Sequence, residues 1–145
     1  MKWVALATWV LTAGGGFFLL GLWLKHGGMQ QSEQPGARIR AGRVLSHFAL
    51  AATGLILWII YIASDSEALA WIAFAILLVV ALLGFSMLAI WIGQRGRAVA
   101  TASAGPGASQ PAEQHFPVSV VGLHGVLAAA TLVLVLLTAA GVGES

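Results

Sequence analysis

Four long apolar blocks without a single Asp, Glu, Lys or Arg decide what this chain can fold into. They cover residues 3–24 (WVALATWVLTAGGGFFLLGLWL), 44–63 (VLSHFALAATGLILWIIYIA), 68–92 (ALAWIAFAILLVVALLGFSMLAIWI) and 118–142 (VSVVGLHGVLAAATLVLVLLTAAGV). A helix rises about 1.5 Å per residue, so each block can cross a hydrocarbon core roughly 30 Å thick, the longer ones with some tilt. Lipid offers the backbone no water, and a spanning segment must satisfy its own N–H and C=O groups, as a helix does. A membrane barrel would show shorter segments with alternating polarity. β-branched runs such as Val79-Val80 do not oppose helix, because unpaired backbone in hydrocarbon costs more than any propensity difference. The chain of 145 residues is 59% hydrophobic and only 8% charged, too apolar for a soluble domain of this size. The expected fold is an all-α integral membrane protein, a single domain of four transmembrane helices in an antiparallel bundle.

The segments between the blocks carry the charge. Ser64-Asp65-Ser66-Glu67 makes a short polar turn able to cap the third span. Pro117 precedes the fourth span, where its missing N–H costs nothing. The longer loops, 25–43 and 93–117, are rich in Gly, Ser, Gln and Ala and read as flexible, without a fold of their own. The first block is longer than the apolar region of a cleaved signal, about 7–15 residues, and its Ala13-Gly14-Gly15-Gly16 run leads into more apolar sequence. It is expected to remain as a helix.

The loops also set an expected direction. Lys25, Arg38, Arg40, Arg43, Arg95 and Arg97 lie in the first and third loops, whereas Lys2 alone lies at the opposite end. The excess of cations places loops one and three in the cytoplasm and both termini outside, in a cell membrane. Trp3, Trp23, Trp71 and Trp91 fall near span ends, where indole favours the headgroup level. Trp9 and Trp58 lie deeper and are expected to pack between helices. The basic residues are too dispersed for a nucleic-acid site or a dedicated lipid cluster.

Inside the spans the chemistry is concentrated in two histidines. His47 lies about one turn into the second span, and His124 about two turns into the fourth. Ionisable groups in a span rarely face lipid. Each histidine heads a stripe at helical spacing: His47, Ala51, Gly54, Trp58, Tyr61 and His124, Ala128, Thr131, Val135, Thr138. Two facing imidazoles at similar depth suit axial ligation of a haem b iron, with Ala51, Gly54 and Ala128 leaving room for the macrocycle. The plain alternative is that both rings hydrogen-bond to backbone or to one another. A metal site from His26, His47, His115 and His124 is a weaker reading, because no acidic residue lies within a turn of either span histidine. Gly14-Gly15-Gly16 and Gly21 suit close helix packing, a bend, or a cofactor touching backbone, with packing the plainer reading, and Gly84 reads as part of a packing face.

The omissions narrow function. There is no cysteine, so disulfides, thiolate metal sites and C-x-x-C-H haem attachment are excluded. No span holds a carboxylate, lysine or arginine for ion or proton movement, and no internal repeat suggests a transporter. No paired carboxylates or Ser-His-Asp set accompanies the histidines, so catalysis by this chain alone is not expected. Three readings stay open. The first is an accessory or anchor subunit of a larger membrane complex, possibly one of electron transfer, with other integral membrane subunits as partners. The second is a b-type cytochrome with bis-histidine haem between spans two and four. The third is a quinone- or lipid-interacting protein without metal.

Overall fold

The computed structural model describes residues 1–35, 37–101 and 111–142 of the chain. The helices are α1 (Lys2–Lys25), the short α2 (Gly28–Ser32), α3 (Ala41–Ser64), α4 (Glu67–Thr101) and α5 (Val118–Ala139), with a single 3₁₀ turn at Ala112–His115 before α5. Four of them, α1, α3, α4 and α5, are long and apolar enough to span a membrane. Large apolar side chains such as Val10, Leu11, Phe18, Ile56, Ile59, Leu82, Val126 and Val133 are exposed along them. That outer surface suits hydrocarbon and would be a liability in water. The protein is therefore a multi-pass four-helix membrane bundle.

The helix ends have local causes. Asp65 closes α3 in the left-handed region, at φ 51°, with its N–H on the Tyr61 carbonyl at 2.8 Å. The α5 helix stops at Ala139, short of the expected 142. Gly141 takes φ 73° there, while the N–H groups of Gly141 and Val142 return to the Thr138 and Leu137 carbonyls at 3.0 and 2.9 Å. This is a glycine-closed helix end that satisfies carbonyls otherwise left unpaired. The α4 helix runs the other way, past Ile92 to Thr101, since nothing in Gln94-Arg95-Gly96-Arg97 forces a stop.

Each long helix packs on its two neighbours: α1 on α3 and α5, and α4 on α3 and α5. The diagonal backbones, α1 and α4 or α3 and α5, do not approach one another among the described residues. The buried core lies in the half nearest the turn between α3 and α4. It comprises Ala5, Trp9, Trp58, Tyr61, Ala70, Ala73, Leu77, Val80 and Val135. Trp9 and Trp58 do pack between helices, with ring centres 6.3 Å apart, and the Trp58 indole N–H donates to the Lys2 carbonyl at 3.3 Å. Buried Thr131 and Thr138 satisfy their hydroxyls on the Leu127 and Leu134 carbonyls at 2.7 and 2.8 Å. At the rim of this end the Lys2 ammonium pairs with the Asp65 carboxylate.

The opposite end differs from expectation, because its loops are partly built. Trp3 and Trp71 are exposed, whereas Trp23 and Trp91 are buried under loop segments. The α2 helix lies so close on Trp23 that a Cβ at Gly28 would come within 2.2 Å of the indole Cε2. The Trp91 indole N–H donates to the Glu113 carbonyl at 2.9 Å, and the Gln94 amide donates to the Glu113 carboxylate at 2.9 Å. Gln31 joins the two loops by donating to the His26 carbonyl at 3.3 Å and accepting from the Ala112 N–H at 2.7 Å. Loop polarity alone conceals this cap, because its glutamines and indoles are spread over three separate stretches. The small-residue stretch 102–110, expected to be flexible, lies outside the described residues.

Candidate functional site

His47 and His124 are each six residues past the first residue of their helices, Ala41 and Val118. At about 1.5 Å per residue, both enter the bundle to the same depth, roughly 9 Å. Their helices are diagonal, and the two side chains reach across the middle until the ring centres are 6.4 Å apart at an interplanar angle of 61°. The sequence expectation that these two residues meet is thus met in the fold.

Each ring is held by the helix beside it. His47 Nδ1 lies 3.0 Å from the Val80 carbonyl of α4, and His124 Nδ1 lies 2.9 Å from the Thr12 carbonyl of α1. A carbonyl only accepts, so Nδ1 is the donor in both neutral rings. The Nε2 atoms then carry lone pairs. Neither Nε2 has a hydrogen-bond partner among the described residues.

A shared local pattern makes these bonds possible. Val80 lies four residues before Gly84, and Thr12 four residues before Gly16. A helix side chain covers the turn N-terminal to its own Cα, so a glycine at that spacing leaves the earlier carbonyl open to an approaching ring. A Cβ at Gly84 would sit 3.1 Å from His47 Cε1, and one at Gly16 would sit 3.2 Å from His124 Cε1. Gly15 meets His124 Nδ1 at 3.5 Å by the same measure, whereas Gly14 and Gly21 face open space. The sequence marked these glycines chiefly as packing positions. Their pairing with histidines on other helices needed the helix order, and the carbonyl-to-glycine spacing was the available signal.

The other expected site residues separate. Ala51 and Ala128 stay one turn below their histidines and are half-buried. Gly54 is buried, and a Cβ there would meet Trp9 Cζ2 at 3.1 Å and Ile76 Cγ2 at 3.3 Å. Its missing side chain therefore makes room for an indole, and Trp9 forms the floor beneath the histidines. His26 and His115 pair apart from them, stacked at 3.9 Å with 10° between planes, with their Nδ1 atoms on the Leu22 and Ala112 carbonyls. Among the described residues no group of three or more His, Asp or Glu is arranged to hold a metal ion.

The residues around the histidine pair are half-buried or exposed. Over residues 10–22, 41–53, 81–90 and 118–130, which form this level in all four helices, no residue is buried. A bundle closed on itself would show buried side chains at every layer. Between Trp9 and the buried Trp23 and Trp91, His47, His124, Gly15, Gly16, Gly84 and Ala128 are all half-buried, while Ala51 packs against the core cluster. No protein-family model, curated protein or solved structure matches this chain.

Proposed function

We propose that this chain is a small b-type haem protein of the membrane, with His47 and His124 as the two axial ligands. The observation that carries this reading is the pair of imidazoles, each fixed through Nδ1 with its Nε2 lone pair unused, at 6.4 Å between centres. An imidazole nitrogen binds a transition metal at roughly 2 Å, and the ring centre lies about 1 Å behind it, so two rings flanking one ion have centres roughly 6 Å apart. Ligating histidines commonly donate their second nitrogen to a carbonyl, which fixes tautomer and orientation. Haem would supply one-electron chemistry. The protein's part is to set ring orientation through Val80 and Thr12 and to keep the site in a low-dielectric span.

The test is a reduced-minus-oxidised absorption spectrum of protein produced with ample haem. Sharp b-type bands are expected, at one haem per chain, and they should vanish in His47→Ala and in His124→Ala but persist in His26→Ala. A folded, colourless preparation that takes up no added haem would end this reading. If it instead bound a quinone, the third of the readings above would replace it.

A second reading, that the chain serves as an accessory subunit of a larger membrane complex, has its own support. Ala7, Gly14 and Gly21 are exposed on α1 at intervals of seven, and the two glycines have nothing within 4 Å of a built Cβ. Small residues on one face of a span let another helix approach closely. Cysteines placed at positions 7, 14 and 21 should crosslink to a stoichiometric membrane partner; recovery of uncrosslinked chain alone would remove the support. The loop end carries Lys25, Arg38, Arg40, Arg43, Arg95 and Arg97, which favours placing that end in the cytoplasm. A reporter fused after α5 should then read outside.

A further inference from the structure

A shallow, widely open groove lies beside the loop-side end of the bundle, lined by Trp91, Ile92, Arg95, Gly96 and Val118. We propose that it binds one anionic phospholipid, with the headgroup phosphate on Arg95 and the start of an acyl chain against Ile92 and Val118. The proposal is independent of the haem reading, since none of these residues is a ligand in it.

Three features point to this occupant. The first is charge. The Arg95 guanidinium lies over the Trp91 ring at 5.1 Å and has no ion-pair partner among the described residues. Its fork of N–H donors suits a phosphodiester, whereas a neutral lipophile such as a quinone would leave the cation unanswered. The second is depth. The uncharged apolar block that contains Trp91 ends at Ile92, and Arg95 is the first charged residue after it, so Arg95 is suited to headgroup level while Ile92, about a turn deeper, is suited to hydrocarbon. A free inorganic anion would gain nothing from that apolar wall. The third is rigidity. Trp91 is anchored by its indole N–H on the Glu113 carbonyl at 2.9 Å, and Gln94 is tied to the Glu113 carboxylate. The wall under the guanidinium is therefore fixed before any lipid arrives, and an open-chain arginine on a bare helix would lack that support.

Native mass spectrometry of the delipidated full chain, offered equal amounts of phosphatidylglycerol and phosphatidylcholine, tests this directly. One retained phosphatidylglycerol is expected, preferred by about fivefold, the size of effect one cation at a charged membrane surface exerts. R95Q should abolish the preference. V118W, which fills the groove and keeps the charge, should abolish it too. R38Q removes an exposed cation outside the groove and should leave it intact. Equal retention of both lipids by the unaltered chain would overturn the proposal, as would a preference that survives V118W. Equal loss in R38Q and R95Q would reduce the effect to general surface charge and overturn it as well. Helicity measured by circular dichroism on each variant separates loss of the site from loss of the fold.

Discussion

The two halves of this bundle use the same four helices and pack them in opposite ways. On the turn side, Trp9, Trp58, Tyr61, Ala73, Leu77 and Val135 are buried against one another. Small residues there admit large ones, as Gly54 admits Trp9. On the loop side, between Trp9 and the Trp23–Trp91 roof, the small residues face histidines and no side chain is buried. In a membrane the lipid tails compete with every apolar contact, so helices associate through close packing and internal hydrogen bonds. The turn-side half has both, whereas the loop-side half gives up packing and keeps two hydrogen bonds from imidazole to carbonyl. A layer without buried side chains gains less from contact than the half beside it.

The sharpest way to break this contrast is to empty the packed half. Trp58→Ala removes a fully buried indole and should cost about 3–5 kcal/mol of unfolding free energy, read by denaturant titration in mild detergent. A loss below about 1 kcal/mol, the scale of a surface change, would mean that the turn side does not hold the bundle together.

Filling gives the next largest effect, and it distinguishes the halves directly. Ala73 is fully buried on the turn side, and Ala73→Leu should cost about 1–3 kcal/mol by overpacking. Ala128, half-buried one turn below His124, lies in the layer without buried side chains, so Ala128→Leu should stay within about 0.5 kcal/mol of the original stability. Under the haem reading the same Leu should strip the b-type bands. Equal destabilisation by the two substitutions would show that the loop side is packed as tightly as the turn side, and the contrast would fail.

Much of the turn-side half, and the existence of all four spans, was legible in sequence. Uncharged blocks of this length leave the backbone no alternative to helix, and the stripes through Trp58, Tyr61 and Val135 marked a core face. The meeting of His47 and His124 was legible because their places within their helices match. What stayed hidden depended on helix order. Gly54 read as room for a ligand, yet α1 supplies Trp9 to that space. Trp23 and Trp91 read as interfacial indoles, yet Gly28, just past the end of α1, and Glu113, in the next loop, bring loop segments over them. Gly16 and Gly84 became meaningful only once α1 and α4 were found beside the histidines of α5 and α3. Periodicity tells which face of one helix is special, but not which helix it meets.

Two glycines test that last point. At Gly54 an added methyl would be caught between Trp9 and Ile76, whereas at Gly84 it would meet only the His47 ring edge, at 3.1 Å. Alanine is favoured over glycine in a helix by roughly 0.5–1 kcal/mol. Gly84→Ala should therefore leave stability near its starting value while tilting His47, and Gly54→Ala should lower it by about 1 kcal/mol, the low end of overpacking. The haem reading adds that Gly84→Ala keeps bound haem but shifts its reduction potential. An unshifted potential with haem still bound would show that Gly84 does not position the ligand.

The smallest expected effect concerns the rim of the packed half, where Lys2 and Asp65 pair across the bundle end. The Asp65 side chain is 72% exposed, so water and salt screen the pair, and long side chains lose entropy in forming it; such pairs contribute about 0–1 kcal/mol. Asp65 has a second task, closing α3 at φ 51°, a conformation that Asn also tolerates. Asp65→Asn thus removes the charge and keeps the turn, isolating the ion pair. It should change stability by less than about 1 kcal/mol and leave Trp58 as shielded as before, measured by quenching of its fluorescence with acrylamide in a chain whose other indoles are replaced by Phe, compared with the same chain carrying Asp65. A large rise in quenching would reverse the order of causes at this end. The ion pair would then hold α1 against α3, and the Trp9–Gly54 contact would be its consequence.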